Sequence, residues 1–148
     1  MLRQEGASQE INKMYESLMV AAEKDLRSRI KDLEMWHAGD KVVSDLSIKE
    51  DLVANIKVAE AAKAHEQEVH AKFLRLKERF RQDTERASET ILTYRRYLEV
   101  RMKQQQDASL FVRAMESGAM SFDEFTAAAK DTKVVLEEIE RKLDTLLT

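Results

Sequence analysis

The chain has 148 residues and a net charge of −3, and it is 36% charged and 43% hydrophobic, a mixture that favours amphipathic helices over a disordered chain. It contains no proline, no cysteine and only three glycines, which excludes disulfides, thiolate chemistry, glycine-rich phosphate loops and the frequent turns of a sheet protein. The longest uninterrupted apolar run is five residues, too short for a signal sequence or a membrane span. We therefore expect an all-α protein, with the cytoplasm as its default location.

A first helix is predicted over residues 8–37. Ser8 can cap its start, and Gly39 lies just beyond its end, where a residue in the left-handed conformation often stops a helix. Its apolar residues recur every three or four positions and so form one stripe: Ile11, Tyr15, Leu18, Ala22, Leu26, Ile30, Leu33 and Trp36. A loop is predicted over residues 38–46.

A second, very long helix is predicted over residues 47–117. Ser47 and Glu50 have the spacing of a capping box, and no helix-breaking residue follows until Gly118. From Phe73 to Met115, apolar positions recur every 3.5 residues on average, which is the period of a coiled coil. An uninterrupted helix is the primary prediction, and a bend near residues 77–91 is the alternative.

The stretch GAMSFDEF, which begins at Gly118, resembles the closing half of an EF-hand calcium loop. In that alignment Arg113, Met115 and Ser117 would occupy the first, third and fifth loop positions, where calcium requires oxygen ligands. Calcium binding should therefore fail. We interpret Gly118 instead as the end of the long helix and Ser121 as the cap of a third helix over residues 121–147.

Together these elements predict three helices in one elongated domain, with the two shorter helices folded back on the long one as a coiled coil or extended bundle. The shorter helices would leave the middle of the long helix uncovered, and too many apolar side chains would then contact water. We therefore expect a homo-oligomer, with a dimer favoured, or a different helical partner. The predicted interface consists of Phe73, Leu76, Phe80, Ile91, Tyr94 and Leu98.

Histidine positions do not indicate a metal or catalytic site. Glu34 and His37 have the E-x-x-H spacing of di-iron bundles, but such a site requires two of these motifs and the chain has one. His65 and His70 are five residues apart and point away from each other on a helix. No catalytic, cofactor-binding or metal-binding residue is predicted, and a non-enzymatic function is expected.

The middle of the sequence is basic, since residues 72–103 contain ten lysines or arginines and five acidic residues. Such a cluster can bind an anionic membrane surface, whereas nucleic acid is not expected as a partner. A long helix with a basic face resembles, in architecture only, the membrane-curving helical dimers of the BAR type. The candidate lipid-binding residues are Arg75, Arg79, Arg86, Arg95, Arg96 and Arg101. Alternatively, these cations pair with nearby carboxylates or with the acidic ends of the chain.

Two functions follow from this sequence. The primary prediction is a self-assembling scaffold, adaptor or structural component, and the alternative is a peripheral module that binds anionic membranes.

Overall fold

A computed structural model of the chain describes residues 2–38 and 46–148. These residues form four helices, α1 (Leu2–Ala38), α2 (Leu46–Arg79), α3 (Thr84–Glu116) and α4 (Phe122–Leu147), and no strand. The all-α prediction is thus confirmed, whereas coiled-coil packing stays a prediction. The described residues belong to two compact units, the first combining the chain up to Tyr15 with His70–Thr148 and the second comprising Glu16–Val69.

The predicted long helix over residues 47–117 is divided in two by a turn, which raises the helix count from three to four. The turn begins after Arg79, and Asp83 is the N-cap of α3, with extended backbone angles (φ −106°, ψ 96°). The Asp83 carboxylate accepts a hydrogen bond of 3.1 Å from the backbone N–H of Arg86. The alternative of a bend near residues 77–91 is therefore the correct one.

After this turn, α3 runs back along α2. The rings of Phe73 on α2 and Tyr94 on α3 stack with their centroids 4.5 Å apart. Because the turn reverses the chain direction, apolar residues on its two sides face each other within one molecule. The apolar stripe with a period of 3.5 residues, predicted to run along one continuous helix, is thus divided between α2 and α3, and its two parts pack against each other.

Helix α1 begins at Leu2, six residues before the predicted cap at Ser8, and includes Gly6 in its interior. A glycine inside a helix lowers helix stability by about 1 kcal/mol relative to alanine. This loss is too small to end a helix that is stabilised by packing along one face. Helix α2 begins at Leu46. The predicted stop at Gly39 and most of the predicted loop lie outside the described residues.

The turn between α3 and α4 has the structure that was predicted from Gly118 and Ser121. Gly118 has a positive φ of 79°, and its N–H donates a hydrogen bond of 3.1 Å to the carbonyl of Met115, which is the C′-to-C2 bond of a Schellman motif. The hydroxyl of Ser121 accepts a hydrogen bond of 3.1 Å from the N–H of Glu124. The interpretation of GAMSFDEF as a helix end followed by a cap is confirmed.

The core of the first unit forms where the start of α1 and the end of α4 pack on the α2–α3 hairpin. Its buried side chains include Ile11, Phe73, Leu76, Tyr94, Tyr97, Leu98, Ile139 and Leu143. In the second unit α1 runs antiparallel to α2. The Lys63 ammonium donates a hydrogen bond to the Glu23 carboxylate, and the Arg29 guanidinium donates one to the carbonyl of Asn55. Two helices bury only a narrow stripe, which here includes Leu18, Ala59, Glu66 and Val69.

Candidate interaction surfaces

The six side chains that were predicted to form an oligomer interface are buried within the chain. Phe73, Leu76, Tyr94 and Leu98 are at most 1% exposed, and Phe80 and Ile91 are 7% and 8% exposed. The physical reason is the turn at residues 80–83, which provides each side of the stripe with an intramolecular partner. One chain therefore shields these six side chains from water without a second chain.

An aromatic cluster around His70 joins three helices inside the first unit. The His70 ring stacks on the Tyr15 ring of α1, with centroids 3.6 Å apart and planes 7° apart. Its Nδ1 atom forms a 2.8 Å hydrogen bond with the hydroxyl of Tyr94 on α3. Burial lowers the pKa of the His70 imidazole below its ordinary value. The sequence indicated none of this, because Tyr15, His70 and Tyr94 come together only when the chain folds back.

Four of the six arginines that were predicted to bind an anionic surface contact other parts of the chain. Arg79 donates to the carbonyl of Leu147, and Arg86 pairs with Asp83 at 3.8 Å. Arg95 bridges Glu10 and Glu99 at 2.9 and 3.1 Å. Arg101 donates to the side-chain oxygen of Gln104.

The remaining two of these arginines, Arg75 and Arg96, are exposed and form no ion pair within the described chain. Ion pairs also connect the basic middle to the acidic ends of the sequence, since Lys72 lies 2.8 Å from Asp144 and Arg95 lies 2.9 Å from Glu10. The basic segment therefore functions in part as a structural partner of these ends.

Exposed apolar side chains occur on the hairpin that the second half of α3 forms with the first half of α4. Along the predicted heptad stripe of α4, Ile139 and Leu143 are buried but Phe122 is 71% exposed. Phe125, Thr132 and Leu136 are half-buried. On the α3 side Leu110 is 59% exposed. We call residues 101–138 the α3–α4 hairpin.

The second unit contains an open groove of about 560 Å³ on one side of its two helices. The Lys63 ammonium, which contacts Glu23 at the groove, lowers the pKa of the Glu23 carboxyl below its ordinary value. The lining residues are Met19, Val20, Glu23, Lys24, Arg27, Lys63 and Gln67. Three of the lining residues are basic and one, Glu23, is acidic and paired with Lys63.

The described ranges 2–38 and 46–148 contain neither a cluster of metal-ligating side chains nor a helix that could span a membrane. No group of three or more histidine, aspartate or glutamate side chains in these ranges could hold a metal ion. None of the helices there is long and apolar enough to cross a bilayer. Comparisons with protein-family models, curated proteins and solved structures found no match to this chain. A functional assignment therefore depends on the surfaces described above.

Proposed function

We propose that this protein is a non-enzymatic helical interaction protein that self-associates as a scaffold or adaptor through the α3–α4 hairpin. The observation that supports the proposal is the incomplete coverage of the apolar stripe on α4. Its C-terminal half, with Ile139 and Leu143, is buried by the chain itself, whereas Phe122 at its other end is 71% exposed. A heptad stripe that continues beyond its intramolecular partner is a typical site for a further helix.

The charges of the hairpin favour a second copy of the chain as this partner. The α3 side, residues 101–116, contains three basic and two acidic residues, whereas the α4 side, residues 122–138, contains two basic and five acidic residues. In a twofold pair with α4 of each copy on α3 of the other, the two sides would meet with opposite net charge. The same pairing would cover Phe122 and Leu110.

Arg113 and Glu124 are the charged residues best placed to test this arrangement. Both are exposed near the turn of the hairpin, and neither forms an ion pair within the described chain. Both can therefore pair with a partner chain without first breaking an ion pair of their own.

The central test is Phe122→Glu, with molar mass measured by size-exclusion chromatography and light scattering over a range of concentrations. We expect wild type to approach the dimer mass as concentration rises and the variant to stay monomeric with unchanged helicity. Leu92→Glu is the matched control, because Leu92 is 65% exposed on α3 outside the hairpin. A wild-type protein that stays monomeric, or a Phe122→Glu variant that dimerises like wild type, would contradict the proposal.

Charge reversal tests which surfaces meet. We expect Arg113→Glu alone to weaken the dimer about five- to tenfold and the double variant Arg113→Glu with Glu124→Arg to recover most of the affinity, since opposite charges would again face each other. Circular dichroism must show that each variant keeps its helices. Equal dimerisation of both variants and wild type would exclude this pairing.

A further inference from the structure

We propose that His70 forms a proton-sensitive contact that holds the first part of α1 on the α2–α3 hairpin and weakens as the solution becomes acidic. The contact joins three helices through one ring, because the imidazole stacks on Tyr15 of α1 and hydrogen-bonds Tyr94 of α3. Tyr94 is fully buried and also stacks on Phe73.

The contact favours the neutral imidazole. Neutral His70 can accept a hydrogen bond at Nδ1 from the Tyr94 hydroxyl while its ring stays in van der Waals contact with Tyr15. A protonated ring could still donate to the Tyr94 oxygen, so protonation need not break this hydrogen bond. Burial opposes the charge instead, and it lowers the pKa of His70 while α1 is in place.

The direction of the pH effect follows from the two states of α1. When its first part detaches, water reaches His70, and the imidazole then binds a proton at its ordinary pKa of about 6.5. The attached state binds this proton only at lower pH, so detachment becomes more favourable as the pH falls below about 6.5. The effect levels off once the attached state is also protonated.

Other charged and polar groups surround this contact on each neighbouring element. One ion pair joins Glu10 of α1 to Arg95 of α3, a second joins Lys72 of α2 to Asp144 of α4, and neither contains a histidine. The Tyr97 ring lies 6.0 Å from that of Tyr94. Glu66 lies one turn before His70 on α2, and a carboxylate at this spacing favours the imidazolium and so opposes the proposed effect.

The test is amide hydrogen exchange of residues 6–15, expressed as protection factors at pH 7.5 and pH 5.0. In wild type we expect protection of this segment to fall about threefold or more on acidification, relative to residues 139–147 of α4. His70→Gln should remove this pH dependence, because glutamine can bond Tyr94 but does not titrate. His65→Gln, five residues earlier on the same helix, is the control and should behave like wild type.

An NMR titration of the histidine side chains in the wild type provides a measurement that needs no variant. We expect His70 to titrate below the ordinary imidazole pKa of about 6.5. The proposal is overturned if His70 titrates at or above the ordinary imidazole pKa of about 6.5, or if acidification deprotects α4 as much as α1. It is also overturned if His70→Gln retains the pH dependence of the wild type.

Discussion

Phe80 illustrates how burial and charge combine at a single residue. Its ring lies at the turn after α2, is 7% exposed, and has the guanidinium carbons of Arg79 and Arg86 at 5.6 and 5.5 Å from its centroid. Burial of such a side chain contributes about 1.5–3 kcal/mol, and each cation–π contact at a partly exposed position adds about 0.5–1 kcal/mol. Burial of the Phe80 ring therefore contributes more to stability than either cation–π contact with the two arginines does.

We expect Phe80→Ala to lower the free energy of unfolding by about 3 kcal/mol, because the change removes buried apolar surface and leaves a cavity beside the turn. Urea denaturation followed by circular dichroism measures this loss. Leu92→Ala is the control, since Leu92 is 65% exposed and its truncation should change stability by less than about 0.5 kcal/mol. Equal losses in the two variants would show that Phe80 does not anchor the turn.

At the level of secondary-structure elements, the turn between α2 and α3 determines which apolar residues meet. An N-cap such as Asp83 contributes about 1 kcal/mol, whereas burying Phe73, Leu76 and Tyr94 contributes about 1.5–3 kcal/mol for each side chain. Packing between the helices is therefore the main reason for the reversal, and the cap fixes the residue at which α3 begins.

Asp83→Ala should therefore lower the free energy of unfolding by about 1 kcal/mol without converting α2 and α3 into one continuous helix. Denaturant titration measures the first effect. Spin labels at the exposed positions Leu74 on α2 and Leu92 on α3 measure the second, and their separation should not change. Thr84→Ala, next to the cap, is the control. A large increase in the label distance would show that the cap, and not packing, maintains the turn.

The sequence predicted the stripe residues better than it predicted the continuity of the helix. Phe73, Leu76, Tyr94 and Leu98 were identified as apolar contact positions, and the structure buries all four. The turn was the alternative and not the primary prediction, because apolar spacing continues in register through residues 80–91 and no glycine or proline occurs there. Asp83 followed by Glu85 was the available signal for a helix start, although such signals are weak.

The α3–α4 turn was predictable because it depends on local chemistry. Glycine at a positive φ and serine as an N-cap act through their own backbone and their nearest residues, so Gly118 and Ser121 were identified from the sequence alone. The His70 contact, by contrast, joins residues that are 55 and 24 positions away from it in sequence. To predict the His70 contact, one would have had to know that α3 folds back on α2.

At the level of the whole molecule, the uneven charge of the sequence is partly neutralised by folding. Residues 72–103 have a net charge of +5, from ten basic and five acidic residues, while the chain as a whole has −3. Arg95 pairs with Glu10 from the acidic N-terminal region and Lys72 with Asp144 from the acidic C-terminal region. Such exposed pairs contribute little stability individually, but they reduce the positive charge that is free to attract an anionic surface.

These neutralised charges lead us to expect little binding to membranes. Of the six arginines predicted to contact lipid, Arg86 and Arg95 pair with carboxylates, and Arg75 and Arg96 form no ion pair within the described residues. Arg79 and Arg101 donate to the uncharged oxygens of Leu147 and Gln104. Glu10 and Asp144 pair with Arg95 and Lys72 from outside the segment, so the net charge of residues 72–103 falls from +5 to +3 when these two partners are counted. Three net positive charges near an anionic bilayer contribute about 3 kcal/mol in total, which is too little for stable attachment. Wild type should therefore stay in the supernatant when sedimented with phosphatidylserine vesicles at physiological salt.

The double variant Arg75→Glu with Arg96→Glu distinguishes the remaining possibilities, and vesicles of neutral lipid serve as the control. If wild type sediments with anionic vesicles and the double variant does not, the basic segment binds membranes and self-association is not the main function. If neither protein sediments while wild type still dimerises and Phe122→Glu does not, the α3–α4 hairpin is the functional surface. These outcomes separate the two functions because Arg75 and Arg96 lie outside residues 101–138, whereas Phe122 belongs to that hairpin.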